Sequence, residues 1–208
     1  LAGAGSGKTR VLTYKVAYLI KEKGVDPQNI LMVTFTNKAA NEMKERVKKL
    51  MVSLPFIGTF HALCAKILRI DGKYIGLSPR FMIYDEIDQI DTVKLALKDL
   101  GISKDFSPKA VLNTISQAKN ELINASSYTQ YAQGYFQKTV AQIYPIYQKI
   151  LKENETLDFD DLIMETIRLF KTEPVVLKKY QERLKYILVD EYQDTNHAQY
   201  ELTKLLSG

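Results

Sequence analysis

Apolar residues recur along this chain in two rhythms, and the rhythm changes near Tyr84. Before that point, short solid apolar runs alternate with helical stripes. Val11, Leu12, Val16, Leu19 and Ile20 fall on one face at the 3.6-residue period of a helix. Ile30 to Phe35 is a run with the length and character of a strand covered on both faces, as in a parallel sheet. Ala39, Ala40, Met43, Val47 and Leu50 predict a helix from about Asn37 to Met51. Leu54 to Thr59 predicts another strand, and Phe60 to Tyr74 another helix. Strand and helix alternating at this spacing predict an α/β fold with a doubly wound parallel sheet.

From Tyr84 to about Asn154 the stripes are helical only. Ile87, Ile90, Val93, Leu97 and Leu100 mark one helix, with Asp85 as its cap. Val111, Leu112, Ile115, Ala118 and Leu122 mark a second. Val140, Ile143, Tyr144, Tyr147, Ile150 and Leu151 mark a third, in which Pro145 is expected to introduce a kink. Residues 84–155 therefore read as an all-helical subdomain inserted into an α/β domain made of 1–83 and 156–208. Its tyrosines are expected in a core and not on a binding platform. Strand character returns at Tyr186 to Val189, and a helix from Ala198 to Leu206 closes the chain.

Chemistry enters at the N-terminus, with Ala2-Gly3-Ala4-Gly5-Ser6-Gly7-Lys8-Thr9. Alternate glycines let the backbone curl until several N–H groups point into one phosphate-sized cavity, which the following helix N-terminus extends. Lys8 then places a positive charge by β- and γ-phosphates, and the Thr9 hydroxyl suits Mg²⁺. Ala2 stands where the strict P-loop pattern has glycine. Such a loop belongs on the end of a β-strand, and only Leu1 precedes it here. The chain is therefore expected to be a piece of a longer protein.

A nucleoside triphosphatase also needs a carboxylate for the metal and another group to activate water, at the end of a strand beside the P-loop. Two places fit: Asp190-Glu191 after Tyr186 to Val189, and Asp85-Glu86 after Phe81 to Tyr84. The second leads straight into a helical stripe, where Asp85 serves as a cap. Asp190-Glu191 instead continues into the polar run Tyr192-Gln193-Asp194-Thr195, suited to sensing a γ-phosphate. It is the preferred pair.

Composition adds bounds. The 208 residues are 46% hydrophobic, enough for a real core. The net charge of +5 leans only mildly towards anionic partners. No apolar stretch approaches the ~20 residues that span a bilayer, so no membrane partner is expected and the chain reads as cytoplasmic. Cys64 is the only cysteine; it excludes an internal disulfide and sits in an apolar helix, as a buried thiol would. Asp158, Asp160 and Asp161 read as helix-capping charge and not as a nuclease metal site.

Together these blocks resemble the UvrD/Rep/PcrA family of superfamily 1 DNA helicases. The resemblance runs through Ala2 to Arg10, Thr34 to Arg46, Gly58 to Ala62, Phe159 to Leu162 and Val189 to Thr195, in family order. It implies a P-loop RecA-like motor domain with an inserted helical subdomain, using ATP and Mg²⁺. Ala2, Gly3, Ala4, Gly5, Ser6, Gly7, Lys8 and Thr9 would bind the phosphates, and Arg10 would stack on the adenine. Thr9 and Asp190 would hold the Mg²⁺, Glu191 would polarise the attacking water, and Gln193 would contact the γ-phosphate region.

The same resemblance implies partners: single-stranded DNA, duplex junctions and a second RecA-like domain. Phe35 would stack on a base; Thr36, Asn37 and Lys38, at a helix N-terminus, suit phosphate contact, with capping by Asn37 the alternative. Thr59 and His61 repeat that arrangement after the next strand. The adenine-reading glutamine segment and the second domain's arginines lie outside this sequence, so the fragment alone is expected to be a feeble ATPase. Other expectations left open are a helicase–nuclease motor subunit and a non-catalytic DNA-binding module.

Overall fold

The computed structural model describes residues 8–50, 55–102 and 106–208, with Lys8 by its backbone only. Its larger sheet has three parallel strands: β1 (Ile30–Thr34), β2 (Phe56–Thr59) and β5 (Tyr186–Val189), in the order β2-β1-β5. Val33 lies opposite Gly58 on one side and Val189 on the other. Strand β1 is buried throughout, as a central parallel strand must be.

The period of two along a strand sorts its side chains between two cores. Leu31 and Val33 join Phe60, Leu63, Ile67, Leu162 and Leu202 on one face. Ile30 and Met32 join Val16, Leu19, Met43 and Val47 on the other. The first face is covered by α3 (Phe60–Asp71), α7 (Phe159–Thr172), α8 (Pro174–Arg183) and α9 (His197–Ser207). The second is covered by α1 (Lys8–Lys21) and α2 (Asn37–Lys49). The expected α/β fold with a parallel sheet is present. Val11, placed on the apolar stripe of α1 by its spacing, is 67% exposed.

Between Tyr84 and Glu155 the described residues form α4 (Glu86–Asp99), α5 (Pro108–Asn120) and α6 (Gly134–Glu153) around a core of their own. Asp85 caps α4 in a reciprocal capping box with Asp88. Tyr128, Tyr144 and Tyr147 are buried there as expected, whereas Tyr131 and Tyr135 are exposed and do not belong to that core. Helix α6 runs on through Pro145 as one element. At the root lies a feature absent from the sequence expectation: β3 (Met82–Ile83) pairs in parallel with β4 (Thr156–Leu157). Two residues per strand are too few to show a period. No helix among the described residues is long and apolar enough to cross a membrane.

Cys64 is fully buried, and burial pushes its thiol up to about 12. The thiolate is the reactive species. Native protein is therefore expected to leave Cys64 unmodified by a thiol reagent over a period in which denatured protein reacts fully. Stoichiometric labelling of native protein at Cys64 would contradict this burial.

Candidate nucleotide and nucleic-acid site

In parallel sheets ligands gather outside the carboxyl ends of the strands. Here three strands deliver polar residues to that edge. Thr34 ends β1 opposite Thr59, which ends β2. Asp190 follows β5, and its N–H donates to the Val33 carbonyl at 2.9 Å. All three are buried at their ends of the sheet.

The first turn of α1 meets this edge. Thr9 Oγ1 donates to Asp190 Oδ2 at 3.1 Å, across 181 residues of sequence. A hydroxyl and a carboxylate so placed are hard oxygen donors. Mg²⁺ binds through one or two such protein oxygens and completes its shell with water and phosphate, so the pair fits that ion. Among the described residues no cluster of three or more His, Cys, Asp or Glu side chains could hold a metal, which sets the site apart from an all-protein metal cage.

Beyond Asp190 the chain turns sharply. Glu191 adopts the left-handed conformation at φ 51°, uncommon for a residue with a Cβ. A single 3₁₀ turn, Tyr192–Asp194, follows and is closed by Asp194 N–H donating to the Glu191 carbonyl at 2.9 Å. Gln193 Nε2 donates to the Glu191 carboxylate and, at 3.3 Å, to Asp194 Oδ2. Glu191 and Gln193 thus face each other in the turn that directly follows Asp190.

The next strand ends carry the nucleic-acid candidates. Phe35 is half-buried, edge-on to Phe60 with centroids 5.8 Å apart. Thr36 caps α2, its hydroxyl accepting from Ala39 N–H at 3.1 Å. The capping role considered for Asn37 thus belongs to Thr36, because Asn37 is already the first residue of α2. Thr36, Asn37 and Lys38 are exposed. Thr59 caps α3 in the same manner, accepting from Ala62 N–H at 3.2 Å. His61 packs edge-on to Phe159 at 5.8 Å, and burial holds its imidazole below the ordinary value. Burial thus favours the neutral imidazole, which can donate one ring N–H without adding charge.

Arg10 is exposed on α1, its guanidinium 5.5 Å from the centre of the Tyr14 ring. The alternative pair, Asp85-Glu86, lies elsewhere, since Asp85 is committed to capping α4 through Ile87 and Asp88 N–H groups. Ala2, Gly3, Ala4, Gly5, Ser6, Gly7 and the Lys8 side chain lie outside the described residues.

Known proteins match this sequence along its whole length. The model of the UvrD/REP helicase N-terminal domain matches residues 1–208. The chain belongs to that family. It is 52% identical to the ATP-dependent DNA helicase PcrA of Bacillus subtilis (strain 168), and 52% to that of Staphylococcus aureus (strain Mu50 / ATCC 700699). Identity to the Staphylococcus epidermidis protein of the same name is 50%. All of this chain is covered in each case, but only 29% of each relative. The chain spans less than a third of the length of the curated relatives it matches.

One buried cluster next to this family core escaped the sequence reading. Lys119, at the end of α5, lies between Asp158 at 2.6 Å and Asp161 at 2.7 Å, and all three are buried. Tyr147 donates to Asp158 Oδ2 at 2.8 Å, and Gln148 to Asp161 Oδ1 at 3.2 Å. Burial opposes the Lys119 charge, but the two carboxylates outweigh it and hold the ammonium above its ordinary value. Burial also resists ionisation of Asp158, yet Lys119 holds that carboxyl low. Asp161 is pushed up by burial and by the Asp158 charge. A signal existed in the sequence: Lys119 occupies an apolar stripe position, four residues after Ile115 and seven after Leu112.

Proposed function

We propose that the chain is half of the motor of an ATP-dependent helicase that translocates on single-stranded DNA. The Thr9–Asp190 hydrogen bond, at the carboxyl edge of a parallel sheet and followed directly in the chain by the Glu191–Gln193 turn, is the observation that carries this reading. The proposed division is an ATP-binding domain of 1–83 and 156–208 with a helical subdomain, 84–155. The separate cores on either side of the β3–β4 root support it.

In this reading Ala2 to Lys8 surround the phosphates, and Thr9 and Asp190 hold Mg²⁺. The metal would neutralise charge on the phosphate oxygens. Glu191 orients and deprotonates the attacking water, and Gln193, hydrogen-bonded to Glu191, senses the γ-phosphate. Arg10 leaves Tyr14 to stack on the adenine. A second RecA-like domain supplies the remaining catalytic charge.

DNA runs across the neighbouring strand ends. Thr36, Asn37, Lys38, Thr59 and His61 contact the backbone, and the half-buried ring of Phe35 stacks on a base. Base–aromatic stacking is worth about 1–3 kcal/mol, a factor of roughly five to 150 in affinity. In a full-length protein carrying this chain, Phe35→Ala is therefore expected to weaken single-stranded DNA binding by that factor while sparing ATP affinity. Fluorescence anisotropy with an oligothymidine measures it, and unchanged DNA affinity would remove Phe35 from the DNA path.

A further inference from the structure

The last turn of α5 touches the beginnings of two other helices. Lys119 reaches the first turn of α7, between Asp158 and Asp161. The next residue, Asn120, reaches the first turn of α9, where its Oδ1 accepts from Asn196 Nδ2. The other ends of both amides are also engaged. Asn120 Nδ2 donates to the Ser116 carbonyl at 2.9 Å. Asn196 Oδ1 caps α9 by accepting from Gln199 N–H at 2.8 Å. Turning either amide over would set like groups against each other at two places, so this orientation is specified.

These two attachments differ in kind. Breaking the first strands buried charges, whereas the second is one amide–amide hydrogen bond at a partly buried position, among the weaker contacts of a fold. A strong pivot beside a weak latch lets one element follow another. What the latch holds is the segment that matters: Asn196 comes directly after Asp190 to Thr195. Upstream, that segment is fixed by Asp190 N–H on Val33. Downstream, Asn196 joins it to α9 and, through Asn120, to the helical insertion.

We propose that Asn120 is a positioning residue for the nucleotide site. Acting through Asn196, it fixes the downstream end of the Asp190–Thr195 segment and couples that segment to the last turn of α5. The inference rests on the proposed nucleotide site. When nucleotide orders Asp190 to Gln193, the Asn120–Asn196 bridge tightens and the last turn of α5 becomes harder to open. The inserted helices thereby register the state of the γ-phosphate pocket.

Hydrogen exchange with mass spectrometry tests this in a full-length protein carrying the chain, using Mg²⁺ and a non-hydrolysable ATP analogue. In the wild type, peptides covering 8–12, 190–195 and 112–121 are all expected to exchange several-fold more slowly with the analogue. Two variants separate positioning from folding. Asn196→Ser keeps a good capping oxygen but is too short to bridge. Asn120→Ala removes the bridge from the other side. Asn120 also lies beside Asp160, a contact that Asn196→Ser leaves alone.

Each variant is expected to keep the protection of 8–12 and lose that of 112–121, with no further loss in the double variant. Strand β1 peptides, unchanged in all of them, report an intact fold. The proposal is overturned if the analogue protects 8–12 and 190–195 but never 112–121, or if both variants retain that protection. Absence of protection at 8–12 and 190–195 removes the nucleotide-site reading, and this inference with it.

Discussion

Glu191→Gln, in a full-length protein carrying this chain, is expected to lower kcat for DNA-stimulated ATP hydrolysis by about 10²–10⁴-fold, the usual worth of a positioned general base. The amide keeps nearly the same shape and can still hydrogen-bond Gln193, but it can no longer take a proton from water. ATP affinity should change little, because in the proposed site Ala2 to Thr9 would hold the phosphates, and Thr9 and Asp190 the metal. Asp190→Asn should differ in kind. On the proposed assignment it would weaken the metal position itself, so added Mg²⁺ should recover part of its activity and none of that of Glu191→Gln. Steady-state hydrolysis over a range of ATP and Mg²⁺ concentrations separates the two. Near-normal kcat in Glu191→Gln would assign the base elsewhere.

The largest expected effect on stability belongs to Lys119. Lys119→Ala leaves Asp158 and Asp161 buried without their shared cation, together with a void where the stem lay. Removing one partner of a buried ion pair typically costs about 3–5 kcal/mol. Much of that cost is the stranded charge and not the worth of the pair, since desolvation offsets most of the attraction in the intact cluster. A second variant checks this division. Lys119→Met combined with Asp158→Asn and Asp161→Asn removes all three charges, while the amide oxygen at position 158 can still cap α7. It is expected to recover most of the loss. Denaturant unfolding, followed by a probe in the helical insertion, measures both. A loss below about 1 kcal/mol for Lys119→Ala would show that the carboxylates find other partners.

The fold was legible where short-range patterns dictate it. Strand β1 declares itself because Ile30 to Val33 are apolar on both faces, and the structure divides them between two cores. Asp85 and Asp158 were readable as caps because a carboxylate ahead of a helical stripe has a local role, and both close capping boxes. The β3–β4 pair was not legible, because pairing across 74 residues of chain leaves no mark in two-residue strands. Val11 misled because it lies at stripe spacing, yet α1 buries only part of that stripe.

The candidate site divides along the same line. Thr9 and Asp190 could be named from motifs, and the topology then brings them within 3.1 Å. Phe35 could be named from the resemblance, but its edge-on contact with Phe60 depends on where α3 starts. Lys119 and Asn120 belong to a helix whose pattern speaks only of packing. Their partners are 39 and 76 residues away, and no local rule connects them. The contacts of the last turn of α5 with α7 and α9 are therefore visible only in the folded chain.

ATP hydrolysis with and without single-stranded DNA is the most direct test of the motor. The protein should be full-length, with Lys8→Ala as its control. The account predicts strong stimulation by DNA that Lys8→Ala abolishes. Hydrolysis indifferent to DNA, or equal in Lys8→Ala, would contradict it.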